Sequence, residues 1–130
     1  MSGAAFAEIA AAMTLYFDGL YHSDTARLAR VFHPAARYAC ATEGSLLHLG
    51  MEEYFPVVDK RQSPASRGEA RADRIVAIEF AGPVTALVRA ECRIGPKRFT
   101  DLLTFVRLDD RWQIVAKVFH FDLDNATGDS

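Results

Sequence analysis

The feature that most constrains the fold is a series of segments, in the C-terminal half of the chain, in which apolar and polar residues alternate. Alternation with a period of two is typical of β-strands that bury one face. The turn-forming pairs Gly95-Pro96 and Asp109-Asp110 separate the last three segments. The four predicted strands cover residues 70–80, 84–93, 98–108 and 112–122. Strands joined in unbroken hairpin succession predict an antiparallel sheet.

The N-terminal half has helical spacing instead. Apolar side chains recur every three or four residues from Phe6 to Leu20, which is typical of an amphipathic helix. Pro34 is expected to end a second, shorter helix, and Pro56 to loosen the first turns of a third. The predicted helices cover residues 5–21, a segment capped by Ser23 or Asp24, and residues 51–61, with short strands at 37–42 and 46–49. Helices that precede a sheet and cover one side of it predict an α+β fold.

Length and charge exclude several classes of partner. At 130 residues we predict a single domain over residues 1–130, with a core at about residues 5–123. The chain has 15 basic and 17 acidic residues, so it lacks the basic excess that phosphate binding requires, and no nucleic-acid partner is predicted. No apolar run approaches the ~18 residues of a membrane span, so no membrane partner is predicted either.

Neither the cysteines nor any known ligand-binding motif in the sequence predicts a bound metal or cofactor. Cys40 and Cys92 each stand alone in the sequence, and a domain of this size does not need a disulfide. We therefore expect two free thiols and a cytoplasmic protein. The sequence contains no HExxH, no CxxC and no phosphate-binding glycine loop, so neither a metal site nor a cofactor is predicted.

One acidic residue falls on an apolar face of the predicted sheet. A two-residue turn at Asp109-Asp110 places Asp101 opposite Val118 and makes His120 its diagonal neighbour. A carboxylate on an apolar wall is costly to bury without a partner, and such groups recur among general acids and bases. We therefore predict Asp101 and His120 as catalytic residues. The alternative is a structural Asp101 that accepts a hydrogen bond from a tyrosine or a backbone amide, with a half-exposed His120.

Aromatic and histidine side chains are candidates for contacting a ligand. Tyrosine hydroxyls can project into a pocket while the rings pack in the core. The predicted ligand-binding residues are Tyr16, His33, Tyr38, Phe55 and Trp112. A purely structural role suits each of them as well, since Trp112 begins a strand and His33 precedes a proline.

Three stretches of sequence are similar to one known superfamily. They are YFDGLYHSDTARLARVFHPAARY at residues 16–38, KRQSPASRGE at 60–69 and FTDLLTFVRLDDRWQIVAKVFHFDL at 99–123. The chain resembles the nuclear transport factor 2-like superfamily over residues 6–123, especially its "Putative lumazine-binding" and SnoaL-like branches. The resemblance implies a strongly curved antiparallel sheet with about three helices forming a cone-shaped pocket. It also implies a homodimer formed through the outer face of the sheet.

Relatives within this superfamily include ketosteroid isomerase and polyketide cyclases, which use acidic, tyrosine or histidine side chains inside the cone. Where the isomerase carries its catalytic aspartate, at the start of the first strand, this chain has Arg37-Tyr38. That departure argues against isomerase chemistry, and a shared fold does not establish a shared function.

Three functions are compatible with the sequence, which leaves open whether the protein is an enzyme. The first is a small-molecule-binding protein whose ligand the sequence does not identify. The second is an acid–base enzyme, of the isomerase, dehydratase or polyketide-cyclase kind, that acts on a cyclic, largely apolar substrate through Asp101 and His120. The third is a dimeric interaction module whose pocket is filled by its own side chains.

Overall fold

A computed structural model describes residues 3–124 of the chain. Three α-helices, a short 3₁₀ helix and six strands make up this part. The helices are α1 (Gly3–His22), α2 (Thr25–Val31) and α3 (Met51–Lys60), with the 3₁₀ turn at Ala65–Arg67. The strands are β1 (Phe32–Cys40), β2 (Leu47–Gly50), β3 (Arg74–Phe80), β4 (Thr85–Ile94), β5 (Lys97–Leu108) and β6 (Arg111–Leu123). No helix between residues 3 and 124 is long and apolar enough to cross a membrane.

The six strands form one open sheet in the order β2-β1-β6-β5-β4-β3. Four of the five pairings are antiparallel, but β1 runs parallel to β6. The α+β class is therefore confirmed, while the sheet is mixed rather than purely antiparallel. The parallel pairing joins residues far apart in sequence, such as Tyr38 and Lys117, and a pattern of consecutive hairpins carries no signal for such a contact.

The second helix ends earlier than Pro34 predicts. It stops at Val31, and Pro34 lies inside β1. The pairing of β1 with β6 shifts register between Phe32 and Arg37, around the proline. A proline has no N–H to donate to a neighbouring strand, so this irregular stretch is where the sheet accommodates it.

The three helices cover one face of the sheet and bury its apolar side chains. Helices α1 and α2 approach closely at Gly19, where an added Cβ would lie 2.6 Å from Leu28 Cδ2. Of the two predicted caps, it is Asp24 that caps α2, by accepting a hydrogen bond from the backbone N–H of Arg27 at 3.2 Å. The largest fully buried side chains include Ile9, Met13, Tyr16, Leu28, Phe32, Leu103, Phe105 and Ile114.

The hairpin between β5 and β6 contains an irregularity that changes which residues face the helices. Close to the Asp109-Asp110 turn the predicted register holds, and Phe105 pairs with Ile114. Thr104 then pairs with Ala116, so Val115 is an extra residue in β6. Such a bulge reverses the inward and outward positions of every residue that follows it.

Beyond the bulge, the predicted faces of β6 are therefore wrong. Asp101 pairs with Phe119 instead of Val118. Phe119 is only 7% exposed, whereas Val118 is 49% exposed. Lys117, Phe119 and Phe121 now lie on the inner face, and Val118 and His120 on the outer face. The two phenylalanines, which the uninterrupted alternation places outside, instead become part of the interior.

Candidate ligand-binding site

A cavity of about 550 Å³ lies between the inner face of the sheet and helix α3. Its walls come from β1, β4, β5 and β6, from α3, and from the loops after β1 and β4. Most of the lining is aromatic or aliphatic. The aromatic lining residues are Tyr38, Tyr54, Phe99, Phe119 and Phe121.

Lys117 is the charged group set deepest in this wall. Its residue is 5% exposed, and Nζ donates to Tyr54 Oη at 3.4 Å. The same Nζ lies 5.2 Å from the ring centroid of Tyr16 and 5.5 Å from that of Tyr38. These distances fall within the range of cation–π attraction. Aromatic faces therefore take the place of much of the water that an exposed ammonium would bind.

The protonation of Lys117 follows from its neighbours. Burial alone lowers the pKa of a lysine, because it penalises the charged form. Here the acidic groups of Tyr54 and Asp101, followed by Tyr38, outweigh burial and hold the pKa of Lys117 above its ordinary value. The side chain is therefore an ammonium cation at neutral pH, and it can act as a hydrogen-bond donor but not as a nucleophile.

Two tyrosines form the polar edge of the cavity beside this ammonium. Tyr38 from β1 stacks on Tyr54 from α3 with ring centroids 4.4 Å apart and an interplanar angle of 28°. Tyr38 also packs against Phe119 at 4.8 Å. Burial raises the pKa of Tyr38, although the charge of Lys117 opposes that rise. The phenol therefore keeps its proton and can donate or accept a hydrogen bond.

Asp101 and Tyr16 form a buried pair behind the cavity wall. Both residues are fully buried, and the Tyr16 hydroxyl donates to Asp101 Oδ2. Burial, followed by the charge of Asp101, raises the pKa of Tyr16 well above its ordinary range, so the proton stays on the phenol. Asp101 Oδ1 has no hydrogen-bond partner among residues 3–124. The carboxyl group therefore retains one oxygen without a hydrogen bond from the described residues.

Cys92 lies on the same wall, and Cys40 is also buried and unbridged. Cys92 pairs with Phe99 across the β4–β5 hairpin, as the predicted register requires, and Ala90 pairs with Asp101. Burial, followed by the charge of Asp101, raises the pKa of Cys92 to about 12. The thiol is therefore neutral at physiological pH.

The structure brings together only some of the residues predicted for the site. Tyr38 lines the cavity, and Asp101 and Tyr16 lie directly behind it. The expected proximity of Asp101 and His120 is wrong, because the bulge turns His120 outward. The His120 side chain is 58% exposed, with Nδ1 2.8 Å from Thr42 Oγ1 and Nε2 3.0 Å from Asp122 Oδ1.

The other three predicted ligand contacts lie away from this cavity. His33 and Phe55 line a separate outer groove beside α2 and α3. Trp112 is at the opposite end of the sheet, where its indole N–H donates to Glu8 at 3.2 Å. None of the three touches the cavity that holds Lys117.

Sequence reasoning missed Lys117, Tyr54 and Arg61, which all line the cavity. The sequence does contain one signal that Lys117 faces inward. Large aromatic residues in the last strand occupy even positions at Trp112 but odd positions at Phe119 and Phe121. A change of parity within one strand indicates a bulge, which would have turned Lys117 inward.

The described residues contain no cluster of three or more histidine, cysteine, aspartate or glutamate side chains arranged to hold a metal ion.

Comparison with solved structures shows the fold. A nuclear transport factor 2-like protein from Silicibacter pomeroyi superimposes with a TM-score of 0.83 at 23% identity, over 94% of this chain and 100% of that one. A second, from Shewanella baltica, has a TM-score of 0.83 at 20% identity, over 94% and 98%. A cystatin-like fold protein from Burkholderia xenovorans has a TM-score of 0.68 at 21% identity, over 90% and 91%. The chain has the nuclear transport factor 2-like fold.

Within that class, the chain belongs to the family described as "Putative lumazine-binding", which matches residues 4–120. A curated relative, named Aldolase FrzH, from Cladobotryum, is 28% identical over 107 residues. The match covers 81% of this chain and 82% of the relative.

The buried thiol of Cys92 is expected to lower the free energy of unfolding at alkaline pH. Its pKa rises from 9.0 in the ordinary state to about 12 in the fold. Between these values the unfolded chain loses the proton and the folded chain keeps it, so stability falls as pH rises. Between about pH 7.5 and 10.5, wild type should lose about 2 kcal/mol more free energy of unfolding than Cys92→Ala. Urea denaturation at both pH values measures this, and an equal loss in the two proteins would contradict it.

Proposed function

We propose that this protein binds a small, flat, largely apolar molecule in the cavity and contacts an oxygen atom of that molecule with Lys117. The observation that carries the proposal is the buried ammonium. An ammonium has three N–H donors, yet within residues 3–124 Lys117 donates one hydrogen bond, to Tyr54 at 3.4 Å. A ligand oxygen at this position would satisfy donors that the protein leaves unused.

The dimensions and lining of the cavity support such a ligand. Its volume of about 550 Å³ falls within the range of small-molecule sites. The stacked rings of Tyr38 and Tyr54, together with Phe119, present flat faces against which a conjugated ring system can pack. The family's description as lumazine-binding agrees with this chemistry, since lumazine is a flat heteroaromatic ring system with carbonyl oxygens.

Replacing the ammonium tests the proposal directly. With 2-naphthol as the probe, Lys117→Met should weaken binding about tenfold, because the variant keeps the apolar stem and loses the charged donor. Lys97→Met is the matched control. Lys97 also lines the cavity, but its Nζ lies over the Phe121 ring at 4.5 Å and its residue is exposed. Fluorescence titration should show little change in this control. Equal affinity in wild type and Lys117→Met would refute the proposal.

A second candidate function is acid–base catalysis, and the buried Asp101–Tyr16 pair favours it. In this route the Lys117 ammonium would stabilise an enolate oxygen of the substrate. Asp101 lies behind the cavity wall, so its free Oδ1 would take the proton from the neighbouring carbon only when the side chains in front of it move aside. Asp101 would later return the proton to carbon. Because Lys117 is charged, this route is an enolate mechanism and not one through a Schiff base. The relative named an aldolase supports testing for such chemistry.

Exchange of α-protons separates binding from catalysis. For an enzyme of this type, wild type should accelerate the exchange of the α-protons of 2-tetralone with D₂O above the buffer rate. Asp101→Asn should reduce that acceleration by about a hundredfold and leave 2-naphthol affinity nearly unchanged. Proton NMR follows the exchange. A wild-type rate equal to that of buffer would exclude the catalytic candidate and leave the binding function in place.

The outer face of the sheet supports a homodimer. Leu102 pairs with Val118 across β5 and β6, and Leu87 lies diagonally next to Leu102 on β4. All three side chains are exposed, and an apolar patch on a sheet is a common subunit contact.

Sedimentation velocity tests this assembly. Wild type should be a dimer at micromolar concentration, and Leu102→Lys should be a monomer because it places a charge in the contact. Phe6→Lys, on helix α1 and therefore away from the outer face of the sheet, is an exposed control that should remain dimeric. A monomeric wild type would contradict the proposed dimer.

A further inference from the structure

A second cation of the cavity, Arg61, has no side-chain hydrogen bond or ion pair within residues 3–124. It follows α3 directly, and its backbone N–H donates to the Val58 carbonyl at 3.1 Å. The half-buried side chain lines the cavity. Its Nε and Nη2 atoms are buried, and neither has a hydrogen-bond partner anywhere between residues 3 and 124.

Unpaired buried donors are costly, and other arginines of this chain avoid the cost. Arg67 pairs with Glu69 at 2.8 Å, and the similarly buried Arg107 pairs with Asp110 at 3.4 Å. Leaving a buried charged donor unsatisfied is more expensive than leaving a neutral one. Arg61 therefore retains two unused donors beside the cavity, which a group bound there can satisfy when the side chain turns toward it.

The position of Arg61 places its charge inside the binding cavity. Burial raises the pKa of both Tyr38 and Cys92, and the positive charge of Arg61 acts against that rise in each. The charged residues of the described lining are Arg61, Arg67, Lys97, Lys117 and one acidic residue, Glu43. The lining thus carries more positive than negative charge, although the chain as a whole carries a net charge of −2. A positive cavity with apolar walls attracts anions.

The two unpaired atoms also indicate the shape of the anion. Nε and Nη2 form one edge of the guanidinium, from which two parallel N–H bonds point the same way. That edge matches the two oxygens of a carboxylate in a bidentate pair.

We propose that Arg61 determines the specificity of the cavity by binding a carboxylate, so that the ligand is an aromatic carboxylic acid with a second oxygen at Lys117. This inference rests on the proposed function and adds the class of ligand to it. The ammonium of β6 meets one polar group of the ligand, and the guanidinium at the end of α3 meets the other.

A matched pair of probes tests the inference. 2-Naphthol has one hydroxyl group on two fused rings, and 6-hydroxy-2-naphthoate adds a carboxylate to the same rings. Wild type should bind the carboxylate about tenfold more tightly than 2-naphthol, as expected of a charge-assisted bidentate contact. In Arg61→Met, which keeps an apolar side chain of similar reach, the ratio of the two affinities should fall to nearly one. Arg67→Met should keep the preference, since Glu69 already occupies that guanidinium.

Each result decides between the proposals. A preference for the carboxylate that persists in Arg61→Met would overturn the role of Arg61. A wild type that binds both probes equally would overturn the ligand class and leave the binding function intact. A wild type that binds neither probe would contradict the binding function, and this inference with it. Arg61→Lys keeps the positive charge but lacks the two parallel N–H donors of the guanidinium. If this variant prefers the carboxylate as strongly as wild type does, bidentate binding is contradicted.

Discussion

The site depends on one extra residue in the last strand. Val115 has no partner in β5, and the strand therefore changes face between Ile114 and Lys117. Without that change, the inner face would receive Val118 and His120. With it, the interior receives an ammonium flanked by aromatic rings, because Lys117 and Phe119 both turn inward. A local change in pairing thus determines the chemistry of the cavity, as bulges near binding sites commonly do.

The interior tolerates this charge because its surroundings compensate for lost water. Lys117 lies near a carboxylate on β5, a phenol on α3 and the faces of four aromatic rings. The compensation is incomplete, since the ammonium and Asp101 Oδ1 both retain unused hydrogen-bonding capacity. Such incomplete satisfaction is costly in a core but suits a site that a ligand completes. Arg61 repeats the pattern at the end of α3, which makes the cavity cationic on two sides.

Local patterns were enough to predict much of the fold. Alternation and turn residues predicted the β4–β5 register, the Asp109-Asp110 turn and the burial of Asp101, because each depends on neighbours close in sequence. The parallel pairing of β1 with β6 joins segments far apart in the sequence, so local patterns carry no signal for it. Among the site residues that were missed, Lys117 turns inward because of the bulge at Val115. Tyr54 and Arg61 reach the cavity because of how α3 and the residue after it pack against the sheet, which only the folded chain reveals. The error at His120 comes from the bulge at Val115, which shifts the alternation by one residue and which the change of aromatic parity in the last strand signals.

The orientation of Lys117 is the central claim, and NMR contacts between its side chain and the tyrosine rings test it most directly. We expect nuclear Overhauser contacts from the Lys117 ε-methylene to the rings of Tyr54 and Tyr38, together with upfield shifts of the lysine methylene protons caused by the surrounding rings. Solvent-like shifts for Lys117, with contacts from the His120 ring to Tyr16 or Tyr38 instead, would show an uninterrupted β5–β6 register and contradict this account of the site.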